Sequence, residues 1–186
     1  MIRTHLCTYV IAISANIRES ECRLAAREIC YPGLSSCITI TLFNGDIMVG
    51  IHCTIANSAH EIRDAIKEIK EKIAIEFSDC YVIGALSVFK YSVFDRSIST
   101  RKKISNEINS HVTIHNRIKF HDTTMHLNTR KNVHVFISNS PIRVSYCAAE
   151  KCLVASQIPP LSVGRQYIPL YQFTKINNIG NMIICR

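Results

Sequence analysis

Apolar residues alternate with smaller or polar ones on both sides of Asn44-Gly45. Ile38, Ile40 and Leu42 precede that pair, and Ile47, Val49 and Ile51 follow it. A period of two is that of a half-buried strand. Asn-Gly is the strongest short hairpin signal, because both residues tolerate positive φ. With a two-residue loop, Phe43 faces Asp46, Leu42 faces Ile47, Ile40 faces Val49, Ile38 faces Ile51 and Cys37 faces His52. The six aliphatic side chains then share one face, which must be core. Cys37, Thr39, Thr41, Met48, Gly50 and His52 share the other, smaller and more polar face.

The period changes after the hairpin. Ile62, Ile66, Ile69 and Ile73 form a helical stripe, which predicts a helix from Ser58 to Phe77. Ser58 and Glu61 have the spacing of a capping box, in which each side chain satisfies a free backbone N–H. Lys70 and Lys72 lie near its C-terminal end, the favourable end for cations. The stripe is expected to pack on the hairpin's Ile/Val face. A buried strand follows from Cys80 to Val93, and Gly84-Ala85 inside it predicts a close approach by another backbone or a ligand. Ser97 to Asn109 reads as a more polar helix that buries Ile98, Ile104 and Ile108, with Arg101-Lys102-Lys103 as a solvated face. Val112 to Phe120 is a strand, and Asn132–Ser138 with Ile142–Cys147 form a hairpin about Asn139-Ser140-Pro141.

The ends are less regular. Residues 4–14 read as a strand and Ala15–Glu21 as a polar loop. Arg23–Cys30 is a short strand or helical turn that Pro32-Gly33 ends. Pro159-Pro160 opens a tail expected to wrap the sheet and finish in a strand from Asn181 to Cys185. The fold class is therefore α/β: a layered sandwich with a largely antiparallel or mixed sheet and two main helices. Residues 1–186 make one domain, divided into an N-terminal strand and loop (1–23), a core (24–150) and a C-terminal extension (151–186).

Composition narrows the class. A hydrophobic content of 47% and a charged content of 19% belong to a globular chain. The net charge of +8 fits solubility and lineage or attraction to an acidic partner, protein or nucleic acid, and charge alone does not choose between them. No aromatic residues are interleaved with the basic ones in any strand, which counts against nucleic acid. Nine cysteines at irregular spacing, several inside apolar runs, fit buried free thiols in a reducing compartment. Arg3 and the run Leu6–Ser14 resemble a weak signal peptide, but Thr8 and Ser14 interrupt a short stretch. No segment is long and apolar enough to span a membrane.

The candidate chemistry lies at the hairpin mouth. A thiol and an imidazole on directly opposed residues are close enough to share a proton. The turn Gly33-Leu34-Ser35-Ser36 before Cys37 offers backbone N–H groups to an oxyanion. Three other readings stay open. Cys37 is a packed small hydrophobe and His52 a satisfied core histidine. Alternatively a three-residue turn sets Cys37 opposite Cys53. In the third, both residues bind metal, although no second Cys/His pair stands at ligand spacing. His111, His115, His121 and His126 do not converge on one face, and no cofactor or metal is expected.

Tyr31-Pro-Gly-Leu-Ser-Ser-Cys37, then an apolar strand, a turn and Gly50-Ile51-His52, resembles the catalytic segment of the CheD-type glutamine deamidases. Those carry Gly-Leu-Gly-Ser-Cys up to the nucleophile. The segment is also similar to the cytotoxic necrotizing factor and lethal-factor deamidase toxins, which carry Leu-Ser-Gly-Cys. The order of later elements is that expected of CheD, so the resemblance covers roughly residues 24–150 in layout. It implies a CheD-like fold and hydrolysis of a glutamine side-chain amide on a protein. Cys37 would be the nucleophile and His52 the general acid/base. The family's histidine-orienting threonine is replaced by Tyr31, so the Tyr31 hydroxyl or a main-chain carbonyl must orient the ring. Ser35 matches the toxin-group serine, and the Ser36 and Cys37 N–H groups are the expected oxyanion donors. The resemblance further implies a bacterial effector acting in a host cytosol, with a small GTPase or translation-factor helicase as target by analogy. The alternative is a chemoreceptor-type deamidase in the bacterial cytoplasm. A protease or transglutaminase with the same pair and a non-catalytic basic binding module are the rival functions.

Overall fold

The structure, a computed structural model, describes residues 2–4, 11–73, 75–88, 100–123, 132–148, 166–168 and 174–177. Among them, one mixed sheet carries two helices. The strands are β1 (Arg3–Thr4), β2 (Ala12–Asn16), β3 (Glu21–Leu34), β4 (Ile38–Phe43), β5 (Met48–Cys53), β6 (Phe77–Gly84), β7 (Ile114–Asp122), β8 (Val133–Ser138), β9 (Arg143–Ala148), β10 (Gln166–Tyr167) and β11 (Thr174–Asn177). The helices are α1 (Ala59–Ile73) and α2 (Thr100–His111). The sheet order is β10-β9-β8-β3-β5-β4-β6-β7-β11, with β1 and β2 also paired to β3.

The hairpin of β4 and β5 forms, with a longer loop than Asn-Gly alone requires. Phe43 pairs with Met48, Leu42 with Val49, Ile40 with Ile51, Thr39 with His52 and Ile38 with Cys53. The turn runs from Asn44 to Ile47, closed by Asn44 N–H donating to the Ile47 carbonyl at 3.1 Å. Gly45 takes φ 90°. Asn44 instead accepts the Asp46 N–H on its side-chain oxygen at 3.4 Å, so its amide makes a side-chain turn. The register thus shifts by two residues. A shift of two keeps every side chain on its face, whereas a shift of one reverses them all.

Both faces are accordingly as expected, apart from Ile47, which lies in the turn. Ile38, Ile40, Leu42, Val49 and Ile51 pack with Ile62, Ile66 and Ile69 of α1 and with Ile104 and Ile108 of α2. The capping box is present: Glu61 N–H donates to Ser58 Oγ at 3.3 Å and Ser58 N–H to Glu61 Oε2 at 3.0 Å. Arg63 holds Glu107 with two bonds of 2.9 and 3.0 Å, joining α1 to α2. Lys103 of α2 is buried, so Arg101-Lys102-Lys103 is not a uniformly solvated face. Ile98 lies outside the described residues.

The opposite face is covered by the sheet's own strands. Phe43, Met48, Tyr81 and Ile83 pack with Ala15, Ile17, Ile29, Tyr31, Val133, Val135 and Ile137. The hub is β3, which pairs with β5 through Glu21–Ala25 and with β8 through Glu28–Leu34. Pro32-Gly33 does not end this element as expected. The chain passes through them with a bulge between Tyr31 and Leu34, where Gly33 takes φ 70°. Ala15 and Asn16 belong to β2, and Ile17 is fully buried, so Ala15–Glu21 is not simply a polar loop.

The buried strand β6 ends at Gly84, earlier than the expected Val93, and pairs in parallel with β7 across α2. The β8–β9 hairpin turns through Asn139, whose amide donates to Ala26 O at 3.1 Å and Gly45 O at 2.9 Å. The tail reaches both margins of the sheet, β10 pairing with β9 and β11 with β7. The strand expected from Asn181 to Cys185, the signal-like residues 5–10 and His126 lie outside the described residues. Cys22, Cys30, Cys37, Cys53 and Cys80 form no disulfide, whereas Cys147 is disulfide-bonded, which corrects the expectation of free thiols throughout. No described helix is long and apolar enough to cross a membrane.

Candidate active site

Cys37 enters the sheet one residue before β4, directly after the Ser35-Ser36 bend. Its backbone is clamped from β6. Ala85 N–H donates to the Cys37 carbonyl at 3.0 Å. Gly84, at φ 148°, lies so close that a Cβ there would run into Cys37 O and Ile38 Cα. The close approach expected at Gly84-Ala85 is therefore the backbone of the candidate nucleophile itself.

Cys37 and His52 share a face, but they are not directly opposed. Thr39 occupies the position opposite His52, and its Oγ1 donates to Ile83 O at 3.1 Å. Cys37 and His52 are diagonal neighbours, a relation in which Cα atoms stand about 7–8 Å apart and long or aromatic side chains still meet. The two-residue shift in the loop is the cause. The pairing with Cys53 is also excluded, since Cys53 faces Ile38 on the helix side.

His52 is fully buried, and its Nδ1 lies 2.9 Å from the Ile17 carbonyl. A carbonyl only accepts, so Nδ1 carries the proton and Nε2 keeps its lone pair. Nε2 is buried without a hydrogen-bond partner. Burial pushes His52 below its ordinary 6.5; the Ile17 carbonyl and then Glu19 and Glu21 act in the opposite sense. The ring is therefore neutral at pH 7.

Tyr31 does not orient that ring. Its hydroxyl is 2.5 Å from Thr41 Oγ1 and 3.4 Å from Ile40 O. It meets His52 only edge-on, with ring centroids 5.8 Å apart. The main-chain alternative is the one realised. Gly50 makes room for it, because a Cβ there would strike Ile17 Cδ1 and the Tyr31 hydroxyl.

The Cys37 thiol is 3% exposed and donates to Glu19 Oε1 at 3.6 Å. Burial first, then the charge and hydrogen bond of Glu19, pushes the thiol up to about 12. The backbone N–H groups of Ser36 and Ser35 act in the opposite sense. They lie beside the sulfur and are the donors available to a charge developing next to it. Gly33 N–H donates to His134 Nδ1 at 3.0 Å and so ties this bend to β8.

A comparison with family models and with curated proteins returns no match. The site is thus read from its own geometry: a neutral thiol, a neutral imidazole with a bare lone pair, two backbone donors and one carboxylate. Among the described residues no group of three His, Cys, Asp or Glu side chains could hold a metal ion.

Two contributors were missed in the sequence, Ile17 and Glu19. Both lie in the β2–β3 turn, where Ser20 takes φ 58° and its N–H donates to the His52 carbonyl at 2.9 Å. One turn therefore supplies both the carbonyl that fixes the histidine and the carboxylate on the cysteine. A main-chain acceptor has no residue-type signature, and Glu19 stands 18 positions from its partner.

Proposed function

We propose that the protein hydrolyses the side-chain amide of a glutamine on another protein, with Cys37 as nucleophile and His52 as general base. The observation that carries this reading is the buried Nε2 lone pair of His52, fixed by Ile17 O and sharing a face with the thiol. A buried nitrogen without a partner costs about 1–3 kcal/mol, so a proton arriving during reaction would use an otherwise unsatisfied acceptor.

Both groups are neutral at rest, so the reaction is general-base catalysis and not attack by a preformed thiolate. The thiol turns from Glu19 toward Nε2 and gives up its proton as sulfur bonds to the carboxamide carbon. The Ser36 and Ser35 N–H groups hold the oxyanion. The imidazolium returns the proton to nitrogen, the C–N bond breaks and ammonia leaves a thioester. His52 then takes a proton from water, whose oxygen attacks the thioester, and the C–S bond breaks to give glutamate and the free thiol. The net charge of +8 suits an acidic protein target. The host-directed form of this reading rests on the Leu34-Ser35-Ser36-Cys37 segment and on the extension after residue 150.

Incubation with glutamine-bearing proteins tests it. Ammonia release with a gain of about one dalton per event, lost in Cys37→Ala and lowered roughly 10²–10⁴-fold in His52→Ala, is expected. Chain cleavage or amine incorporation would instead identify a protease or transglutaminase. A second reading, a binding module with a packed Cys37, is favoured by the burial of both side chains. It predicts binding that survives Cys37→Ala and no mass change.

A further inference from the structure

A carboxylate beside a nucleophilic thiol is costly for attack, since it holds the proton on sulfur. Glu19 nevertheless places Oε1 3.6 Å from Cys37 Sγ, at the end of an exposed side chain. Its backbone is fixed by its neighbours: Arg18 N–H donates to Glu21 Oε2 at 3.0 Å and Ser20 Oγ bonds Asn57 Oδ1 at 3.1 Å. The carboxylate is thus delivered to the sulfur by a tied turn. The donors beside the sulfur, the Ser36 and Ser35 N–H groups, are its chemical complement. The unpartnered, fully buried Nε2 of His52 on the same face independently marks a place where a reacting group is to be received.

A primary carboxamide matches this arrangement and its competitors do not. Its oxygen accepts from the backbone N–H groups while its NH₂ donates to a carboxylate. An ester has no hydrogen to offer Glu19, and a carboxylate meets like charge. We infer that Glu19 is a specificity-determining residue that selects a neutral carboxamide at Cys37 and repels carboxylates, including the glutamate product. This rests on the deamidase reading and names the feature of the substrate that Glu19 recognises. Glu19 makes this contact by swinging off the thiol, which frees the sulfur to face His52 as substrate enters.

Two alkylating probes of the same size isolate the charge effect. Iodoacetamide and iodoacetate both form a C–S bond with loss of iodide, and they differ in presenting a carboxamide or a carboxylate. Rates at Cys37 are read by peptide mapping in the full chain, in wild type, Glu19→Gln and Glu19→Asp. The wild-type preference for iodoacetamide should fall about fivefold to tenfold in Glu19→Gln, the size of one screened charge pair near 4 Å. Glu19→Asp, which keeps the charge, should retain most of the preference. Glu19→Gln should also speed both reagents by releasing the thiol proton. An equal gain for both reagents, with the ratio unchanged, overturns the inference and leaves the deamidase reading standing. Failure of Cys37 to react with either reagent in every variant removes that reading and the inference with it.

Discussion

The Cys37 thiol and the His52 imidazole are both neutral at pH 7, each for a cause that can be changed separately. His52 is held below 6.5 by burial. Below pH 6.5 the unfolded chain binds a proton that the folded chain refuses, so stability rises with pH through this window and falls as pH drops through it. Replacing His52 with Gln should flatten the unfolding midpoint between pH 7 and 5, followed by denaturant titration. The Cys37 thiol is raised to about 12, with burial the larger cause and Glu19 the next. Its alkylation rate should therefore keep climbing above pH 9 in wild type, and the profile should move to lower pH in Glu19→Gln. The residue scale is also where the sequence was most and least informative. Cys37 and His52 were legible because a two-residue period keeps them on a common face for a loop of two residues or of four. Their direct opposition was not, because Asn44 makes a side-chain turn in place of positive φ.

At the scale of elements, two connections hold the site in place, and each carries a cost if broken. Gly84 lets β6 lie against the backbone of Cys37 and Ile38. Gly84→Ala combines a positive φ with contact against rigid backbone, and should cost about 2–4 kcal/mol, read by chemical denaturation. Asn139 links the β8–β9 turn to Ala26 of β3 and to Gly45 in the β4–β5 turn. Asn139→Ala leaves two carbonyls without their donor and should cost roughly 1–3 kcal/mol. Both helices were legible from isoleucine spacing, and α1 also from its cap, since these signals are local. The extent of β3 was not legible. Pro32-Gly33 ordinarily stops an element, but here it lies in a bulge that β8 spans from more than 100 residues away. Nothing near Pro32 in the sequence announces that partner.

For the whole molecule, the two buried faces explain why so many apolar positions coexist with so few sequence signals for the second layer. The helix-side core is built from periodic elements that announce themselves. The other core is closed by β2, β8 and β3 from Ala25 to Leu34, whose relation to the hairpin depends on long-range pairing. Cys22, Cys53 and Cys80 lie fully buried in the helix-side core, and burial raises each well above its ordinary 9.0. Above pH 9 the unfolded chain releases thiol protons that the folded chain retains, so stability falls as pH rises. The expected loss is roughly 1 kcal/mol per buried thiol per pH unit, measured as the denaturation midpoint from pH 8 to 10. Substituting Cys22 and Cys80 with Ala should reduce that slope, although each substitution also removes packing.

The central claim is that His52 serves Cys37, and site-resolved alkylation of the folded protein addresses it without knowledge of the target. With iodoacetamide at pH 7.5, Cys37 should react well ahead of the fully buried Cys22, Cys53 and Cys80. Replacing His52 with Ala should slow Cys37 by about tenfold or more while circular dichroism shows the fold intact. Uniform labelling of the thiols, or a Cys37 rate indifferent to loss of the imidazole, would contradict the claim.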